Sequence, residues 1–208
     1  MTNRSRVLPV KVAEVEATQP EHKAPAPREL EAVRAFVNSL DIEARTDELG
    51  DPRALGDWLV AAGLLDRQAA GGLGPDDLRA AVALREALRA VLLAHAGEDL
   101  DEGALTVLNA AGARAPLVVR FVDGTDADLV PVASGIDEAL GRLLADVERA
   151  IVDGTWVRLK ACRWDSCHWA FYDGSKNRSG SWCSMAVCGN RAKAAAYRRR
   201  QRAGSGRD

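Results

Sequence analysis

Residues 162–202 read CRWDSCHWAFYDGSKNRSGSWCSMAVCGNRAKAAAYRRRQR. This stretch holds all four cysteines of the 208-residue chain, as two C-x4-C pairs separated by fifteen residues: Cys162, Cys167, Cys183 and Cys188. Two short pairs joined by a loop can wrap opposite edges of a tetrahedral metal ion. The spacing therefore predicts a bound metal ion, and zinc is the favoured metal.

A metal held by four thiolates is a structural site, because no coordination position is left open for water. A module of about 45 residues is too small to fold by apolar burial alone, so one Zn²⁺ ion is expected to contribute folding free energy directly. Four aromatic residues of the stretch are expected to pack around the metal rather than to stack on bases: Trp164, Trp169, Phe171 and Trp182.

Four thiolates and one Zn²⁺ leave a site charge of −2. We expect backbone N–H groups and three nearby cations to offset this charge: Lys160, Arg163 and Arg191. His168 is an alternative ligand beside the second cysteine. Because the cysteines already complete a tetrahedron, we expect His168 to face solvent or a phosphate group instead.

The residues after the last cysteine predict a basic helix. Alanines at 192 and 194–196 favour a helix over 189–202, which Asn190 can cap. At about 100° per residue, basic side chains then lie on both sides of the helix axis. The predicted nucleic-acid contacts in this helix and in the preceding loop are Lys176, Arg178, Asn190, Arg191, Lys193, Arg198, Arg199, Arg200 and Arg202. A solvated basic tail is the alternative, and spacing alone does not separate DNA from RNA.

Charge is distributed unevenly along the chain, although the formal net charge is only −2. Residues 156–208 contain 12 Lys and Arg against 3 Asp and Glu, whereas residues 1–155 contain 16 against 27. A basic module joined to an acidic body is expected when one part meets a polyanion and the other part regulates or dimerises.

Composition indicates a globular protein, since 47% of the residues are hydrophobic and 28% are charged. No apolar run approaches the roughly 20 residues that cross a bilayer. Residues 1–8 lack the apolar core of a secretory signal. We therefore predict a cytoplasmic protein without a membrane partner, in which reduced, clustered cysteines hold metal.

Apolar periodicity predicts helices in the first half of the chain. They run from Glu29 to about Leu40, from Asp51-Pro52 to Gly63, from Pro75 to about Gly97, and from Asp101 to Leu108. The glycine-rich segment 70–74 is expected to be a turn between helices, because a phosphate-binding loop would follow a strand and contain a lysine.

The second half predicts a β-hairpin formed by 117–122 and 129–132, and then a helix over 136–151. The apolar stripe of that helix is either a core face or a homodimer face. Residues 156–161 alternate as a strand with one polar face, and Val7–Val15 can add an edge strand. The chain is thus predicted to be α+β and mainly α. A helical N-terminal domain with a β-hairpin precedes a small C-terminal zinc-binding module that ends in a basic helix.

Several short motifs make the C-terminal region similar to the CGNR zinc finger. They are Cys162-Arg163-x-x-x-Cys167, Trp169-x-Phe171-x-Asp173, Ser175-x-Asn177, Trp182-Cys183-Ser184-Met185 and Cys188-Gly189-Asn190-Arg191-x-Lys193. The position before Trp182 is usually basic in that pattern, whereas Gly180-Ser181 stands here. Phosphate contacts from this loop are therefore expected to be fewer or displaced.

The upstream region resembles the ABATE domain that usually precedes this finger. The resemblance rests on Phe36-Val37-Asn38-Ser39-Leu40-Asp41 and on Asp57-Trp58-Leu59. It implies a bacterial stress-related transcription regulator whose finger binds DNA. We accordingly predict a disordered leader at 1–27, an ABATE-like regulatory or dimerisation domain at 28–155, a CGNR finger at 156–203 and a disordered tail at 204–208.

Two other classes of function are weighed against a DNA-binding regulator. In the first, the acidic body binds a small-molecule ligand or a protein, and the finger is structural only or acts as a thiol redox switch. The second class is an enzyme, which we do not expect. The acidic pairs Asp76-Asp77 and Asp101-Glu102 lie at predicted helix starts, where carboxylates cap helices and favour the positive end of the dipole.

Overall fold

The computed structural model describes residues 24–204, so the edge strand expected at Val7–Val15 lies outside the described part. The helices are α1 (Arg28–Asn38), α2 (Pro52–Ala61), α3 (Arg67–Ala70), α4 (Pro75–His95), α5 (Glu102–Arg114), α6 (Ile136–Val152) and α7 (Asn190–Gly204). The strands form three antiparallel pairs: β1 (Leu40–Asp41) with β2 (Thr46–Asp47), β3 (Leu117–Phe121) with β4 (Ala127–Pro131), and β5 (Leu159–Ala161) with β6 (Ala170–Tyr172). The expected fold class, α+β and mainly α, is confirmed.

Carboxylates begin several of the helices. Asp51 Oδ1 accepts from the backbone N–H of Ala54 at 2.8 Å at the start of α2, and Asp101 Oδ1 accepts from Gly103 at 2.8 Å at the start of α5. Both helix starts agree with prediction. The predicted end of α5 at Leu108 is wrong, because Ala111 continues the buried face and the helix runs to Arg114.

The core of the helical body lies between α1, α4 and α6. Fully buried apolar residues from these helices include Leu30, Phe36, Leu84, Leu88, Leu140 and Leu143. The apolar stripe of α6 is therefore a core face over most of its length, and only its last member, Ile151, is largely exposed at 56%. Among residues 24–204, no helix has both the length and the apolar character required to cross a bilayer.

The segment that connects the body to the cysteines differs from its prediction. Trp156–Arg158 forms a 3-10 turn, and only Leu159–Ala161 forms a strand. All three residues of this strand are buried, so the expected polar face does not exist. Lys160 can be buried because its amine pairs with the carboxylate of Asp173, 2.9 Å away.

The cysteine-containing segment packs directly on the helical body. Leu159, Ala161 and Ala170 belong to the same apolar core as the body helices. The amide of Asn38 forms two hydrogen bonds with the backbone of Ala170: Nδ2 donates to the carbonyl at 3.0 Å, and Oδ1 accepts from the N–H at 2.7 Å. Strand β6 is thus fixed to the end of α1.

Candidate metal centre and basic helix

The structure brings the four predicted metal ligands together. Their Sγ atoms all lie within 4.8 Å of one another, and none of the four cysteines is in a disulfide. The distance from Cys183 Sγ is 3.6 Å to Cys167 Sγ and 3.7 Å to Cys188 Sγ. Zinc–sulfur bonds of about 2.3 Å in a tetrahedron place the sulfurs about 3.8 Å apart. The donor set and its spacing therefore fit a zinc ion.

Each cysteine pair is shaped by a short turn. Cys162 follows β5, and its backbone N–H donates to the carbonyl of Trp169 at 3.0 Å. Between the first two cysteines, the N–H of Cys167 donates to Trp164 at 2.8 Å. The fourth cysteine lies in a π-helical turn, Met185–Gly189, whose start is capped by the hydroxyl of Ser184. This turn continues without interruption into α7.

His168 is not part of the thiol cluster. Its backbone adopts the left-handed conformation with φ of 48°, and its carbonyl accepts from Arg89 Nη1 at 3.1 Å. Arg89 is buried and also donates to the carbonyl of Val37 at 2.7 Å. The residue after the second cysteine thus ties the finger to the body through its backbone.

The thiols interact strongly with one another. A hydrogen bond from Cys167 is the main cause that lowers the pKa of Cys162, and the same interaction raises the pKa of Cys167. Backbone N–H groups of Cys183 and Trp164 add to the lowering at Cys162. One thiolate is therefore favoured within the cluster, while ionising the others requires a cation to offset the accumulated negative charge.

The three cations expected beside the cluster each have a carboxylate partner. Lys160 pairs with Asp173 and Arg163 pairs with Glu98. Arg191 pairs with Glu43 at 2.8 Å, and this interaction is the largest cause that raises its pKa, with further contributions from the cysteine charges. Lys160 and Arg163 therefore serve chiefly to hold the finger in place, and Arg191 also acts on the cluster.

Aromatic side chains surround the thiols as predicted. Phe171 is buried with three of the cysteines, and Trp164, Trp169 and Trp182 pack around this small cluster. Such a core is too small to substitute for the thiol cluster in holding the segment folded.

A buried carboxylate organises the basic loop between β6 and the third cysteine. Asp173, 1% exposed, accepts from the backbone N–H groups of Ser175 at 3.1 Å and Gly180 at 2.7 Å. Lys160 Nζ donates to the same carboxylate and to the carbonyls of Arg178 and Gly180. Burial alone would raise the pKa of Asp173, but these hydrogen bonds outweigh it and hold the pKa well below its usual range. The loop is thus closed around one ion pair.

This closed loop presents two of the predicted nucleic-acid contacts to solvent. Lys176 and Arg178 are both exposed, and Arg178 has a left-handed backbone with φ of 51°. An alanine at Gly180 would place its Cβ 2.9 Å from the carboxylate of Asp173, so glycine permits the close approach here. Gly180 and Ser181, which stand before Trp182 in place of a basic residue, thus lie in a tightly packed part of the loop.

The predicted role of Asn190 as a helix cap is wrong. Its Nδ2 donates to the carbonyl of Ala186 at 3.0 Å, because the π-helical turn already supplies the preceding helical residues. The cap is Ser184, whose Oγ accepts from Val187 at 3.3 Å. Asn190 itself remains exposed.

Helix α7 carries most of the predicted contacts and extends away from the cluster. Ala192, Ala195 and Ala196 are partly buried in its first half. The basic residues farther along are exposed, and among residues 24–204 they have no ion-pair partner: Lys193, Arg198, Arg199, Arg200 and Arg202. The predicted cations of α7 thus divide into Arg191, which is bound to the body, and an unpaired basic set farther along the helix.

Sequence reasoning missed the residues that connect the two regions. Asn38, Arg89 and Glu43 join body and finger through hydrogen bonds and an ion pair. The loop containing Glu43 is itself anchored, because Arg85 binds Asp47 through two hydrogen bonds of 2.7 and 2.9 Å. The sequence did contain one signal for these contacts: Arg85 and Arg89 lie four residues apart on the apolar face of a helix, where a charged residue needs a partner.

Comparisons with known families agree with both regions of the structure. The model of the CGNR zinc finger matches residues 158–201. The model of the ABATE domain, described as "Putative stress-induced transcription regulator", matches residues 30–154. A search of curated proteins gives no match. Since the ABATE match spans more than half of the chain, the protein belongs to the ABATE family and carries a CGNR zinc finger at its C-terminal end.

Proposed function

We propose that this protein is a bacterial transcription regulator of the cytoplasm that binds DNA through its C-terminal helix. One structural Zn²⁺, held by Cys162, Cys167, Cys183 and Cys188, would fix the start of α7. The observation that carries the proposal is that the turn bearing Cys188 continues directly into a helix of exposed, unpaired cations.

The shape and charge of α7 suit a nucleic-acid duplex. Ala194 is exposed one turn before Arg198, and its small side chain allows this part of the helix to approach the duplex closely. Arginine can bind guanine edges in the major groove or phosphate groups along the backbone. The exposed Lys176 and Arg178 on the rigid neighbouring loop would add phosphate contacts. DNA is favoured over RNA because the chain belongs to a family described as transcription regulators.

No catalytic role is proposed for the thiol cluster or for the acidic residues. Four thiols complete a tetrahedral zinc site, so no position is left for a water nucleophile. Asp101 caps a helix through its carboxylate, and Asp77 binds the backbone N–H of Gly74 at the start of α4 at 2.7 Å. These carboxylates are already engaged in holding backbone groups.

Binding of a duplex DNA pool by zinc-loaded, full-length protein tests the proposal. We expect a mobility shift at low salt that weakens steeply as salt rises, because cations on the protein displace counterions from DNA. Competition with a single-stranded or duplex RNA pool of equal length separates DNA from RNA binding. A protein that retains zinc but shifts no DNA at low salt would contradict the proposal.

A ligand-responsive regulator is a second candidate, favoured by an open apolar groove between α4, α5 and α6. The groove has a volume of about 510 Å³, and its lining includes Leu88, Leu108, Asn109, Leu144, Val147 and Trp156. The ring of Trp156 packs edge to face on His95, with ring centroids 5.2 Å apart. Nδ1 of His95 is hydrogen-bonded to the carbonyl of Leu159, which precedes the first cysteine. An occupant of the groove would therefore contact a residue next to the finger.

Binding of the apolar fluorophore 1-anilinonaphthalene-8-sulfonate tests this second candidate. The groove predicts enhanced fluorescence that is lost when Leu144→Trp fills the space. The same substitution should leave thermal stability near that of the wild type, because Leu144 is only partly buried. Equal fluorescence from both proteins would count against a ligand site in this groove.

A further inference from the structure

One edge of the β3–β4 hairpin has no strand partner in the described part of the chain. Strand β3 pairs with β4 alone. The N–H of Val122 donates to Asp126 at 2.9 Å, and the N–H of Val132 donates to Pro116 at 3.1 Å. Because backbone groups alternate in direction along an antiparallel strand, Leu117, Val119 and Phe121 direct their N–H and C=O groups away from β4.

The side chains of β3 are uncovered on both faces of the hairpin. Val118 is 43% exposed, Val119 is 59%, Phe121 is 76% and the adjacent Val122 is 58%. Successive residues of a strand point to opposite faces, so β3 is exposed on both faces from Val118 onward, whereas Leu117 is partly buried. Soluble proteins usually protect such an edge with charged residues, proline or a bulge, and within β3 the exposed Arg120 is the one such device. An exposed and mostly apolar edge of this kind is a surface for pairing with another strand.

The charges at the two ends of β3 favour a second, antiparallel copy of β3 as the partner strand. Arg114 lies just before the strand, is about half exposed and binds Asp137. The acidic turn with Asp123 and Asp126 lies just after the strand. If a second β3 runs antiparallel and Val119 lies on the twofold axis, the acidic turn of each copy approaches the Arg114 end of the other. A parallel arrangement would instead bring like charges together.

We propose that the protein forms a homodimer in which the β3 strands of two copies pair antiparallel about Val119. Val119 then lies opposite Val119 of the second copy, and Leu117 lies opposite Phe121. The two hairpins become one four-stranded sheet, joined by about six new backbone hydrogen bonds. The same patch is used by both copies, as a twofold interface requires. This dimer does not depend on DNA binding, but it would give a DNA-bound protein two copies of α7.

Sedimentation of the full-length protein tests the dimer. The wild type should sediment as a dimer at tens of micromolar concentration. Phe121→Lys places a charge in the interface and should give a monomer. Val119→Pro should do the same, because the N–H that proline lacks faces away from β4 and toward the second copy. The control is Leu100→Lys, which changes another exposed apolar residue. Leu100 precedes α5, whereas β3 follows that helix, and the variant should remain a dimer.

Two results of sedimentation would overturn the proposal: a monomeric wild type, or a Phe121→Lys variant that keeps both wild-type circular dichroism and the dimeric state.

A disulfide test then checks the register. With Val119 on the axis, its two Cα atoms lie about 5.5 Å apart, so Val119→Cys should form an oxidised dimer. Val118→Cys is the matched control and should crosslink far less, because it lies opposite Arg120. Equal crosslinking of the two variants would contradict this register.

Discussion

The helical body and the finger are held together by different kinds of interaction. The body, α1 to α6, buries a continuous apolar core that includes Phe36, Leu88 and Leu140. The finger, residues 158–201, has a much smaller core and depends on four thiols and one buried ion pair, Lys160 with Asp173. Stability is therefore distributed over many residues in the body, whereas a few polar groups carry it in the finger.

Loss of one thiol should have the largest effect. Cys183→Ser should lose zinc and unfold the finger, because structural zinc contributes about 10 kcal/mol or more to the folding of small modules. Leu88→Ala should lower the free energy of unfolding by about 2–5 kcal/mol through a core cavity while zinc stays bound. Metal analysis and thermal denaturation of both variants measure the difference.

This comparison also tests how strongly the two regions are coupled. Leu159, Ala161 and Ala170 lie in the core of the body, so zinc loss should lower the melting temperature of the body as well. Retention of zinc by Cys183→Ser would refute the ligand assignment. An unchanged melting temperature of the body would show that the finger folds independently despite the shared core.

Two buried or partly buried carboxyl groups should respond oppositely to replacement by an amide. Asp173→Asn leaves Lys160 buried without its charge partner and should destabilise the protein by about 3–5 kcal/mol. Burial on α6 raises the pKa of Asp146 to about 7, and Glu29 adds to the rise. Asp146→Asn should therefore stabilise the protein at pH 8 by about 1–3 kcal/mol, since solvent still reaches part of this group.

The two carboxyl groups should also affect the pH dependence of stability in opposite directions. The contribution of Asp173 is fully present above an ordinary carboxyl pKa of about 4 and is lost as the pH falls toward its lowered folded value. The loss of stability caused by burying the Asp146 carboxylate is absent below about pH 4 and grows up to about pH 7. Asp146→Asn should therefore match the wild type in stability at pH 4. Stabilisation of equal size at pH 4 and pH 8 would contradict this account.

The smallest effect is expected at the ion pair between the two regions. Glu43→Gln frees Arg191 and should leave the stability of the protein nearly unchanged, because both side chains are substantially exposed. Under the proposed function, DNA affinity should rise about two- to threefold as a negative charge leaves the start of α7. Glu48→Gln makes the same charge change in the same acidic region and should raise affinity less. Equal gains in DNA affinity from the two variants would mean that net charge alone, and not the Glu43–Arg191 ion pair, causes the increase.

Much of this architecture could be predicted from the chain itself. The two C-x4-C pairs identified the residues that come together as a thiol cluster. Asp51-Pro52 marked a helix start, and the turn residues at 123–126 marked the hairpin. In each case the signal is local, because cysteine spacing, capping side chains and turn residues act over a few positions.

The features that sequence did not predict depend on contacts between distant residues. Lys160 lies in an alternating pattern that indicates an exposed face, yet its partner Asp173 allows it to be buried. Asn38 forms hydrogen bonds with Ala170 across 132 positions, and the Arg191–Glu43 pair spans 148 positions. Asn190 was expected to cap α7, but the π-helical turn before it removed the need for a cap. Tertiary partners decide each of these outcomes.

If the thiol cluster holds α7 in position to bind DNA, removing cations from α7 should change how DNA affinity depends on salt. Arg198→Ala combined with Arg202→Ala should keep zinc and fold, weaken binding about tenfold or more, and make the slope of log affinity against log salt shallower by about 2. A charge-matched control, Arg53→Ala with Arg79→Ala on the exposed surface of the body, should keep the wild-type slope. If instead both double variants bind DNA with the wild-type affinity and slope, α7 is not the surface that contacts DNA.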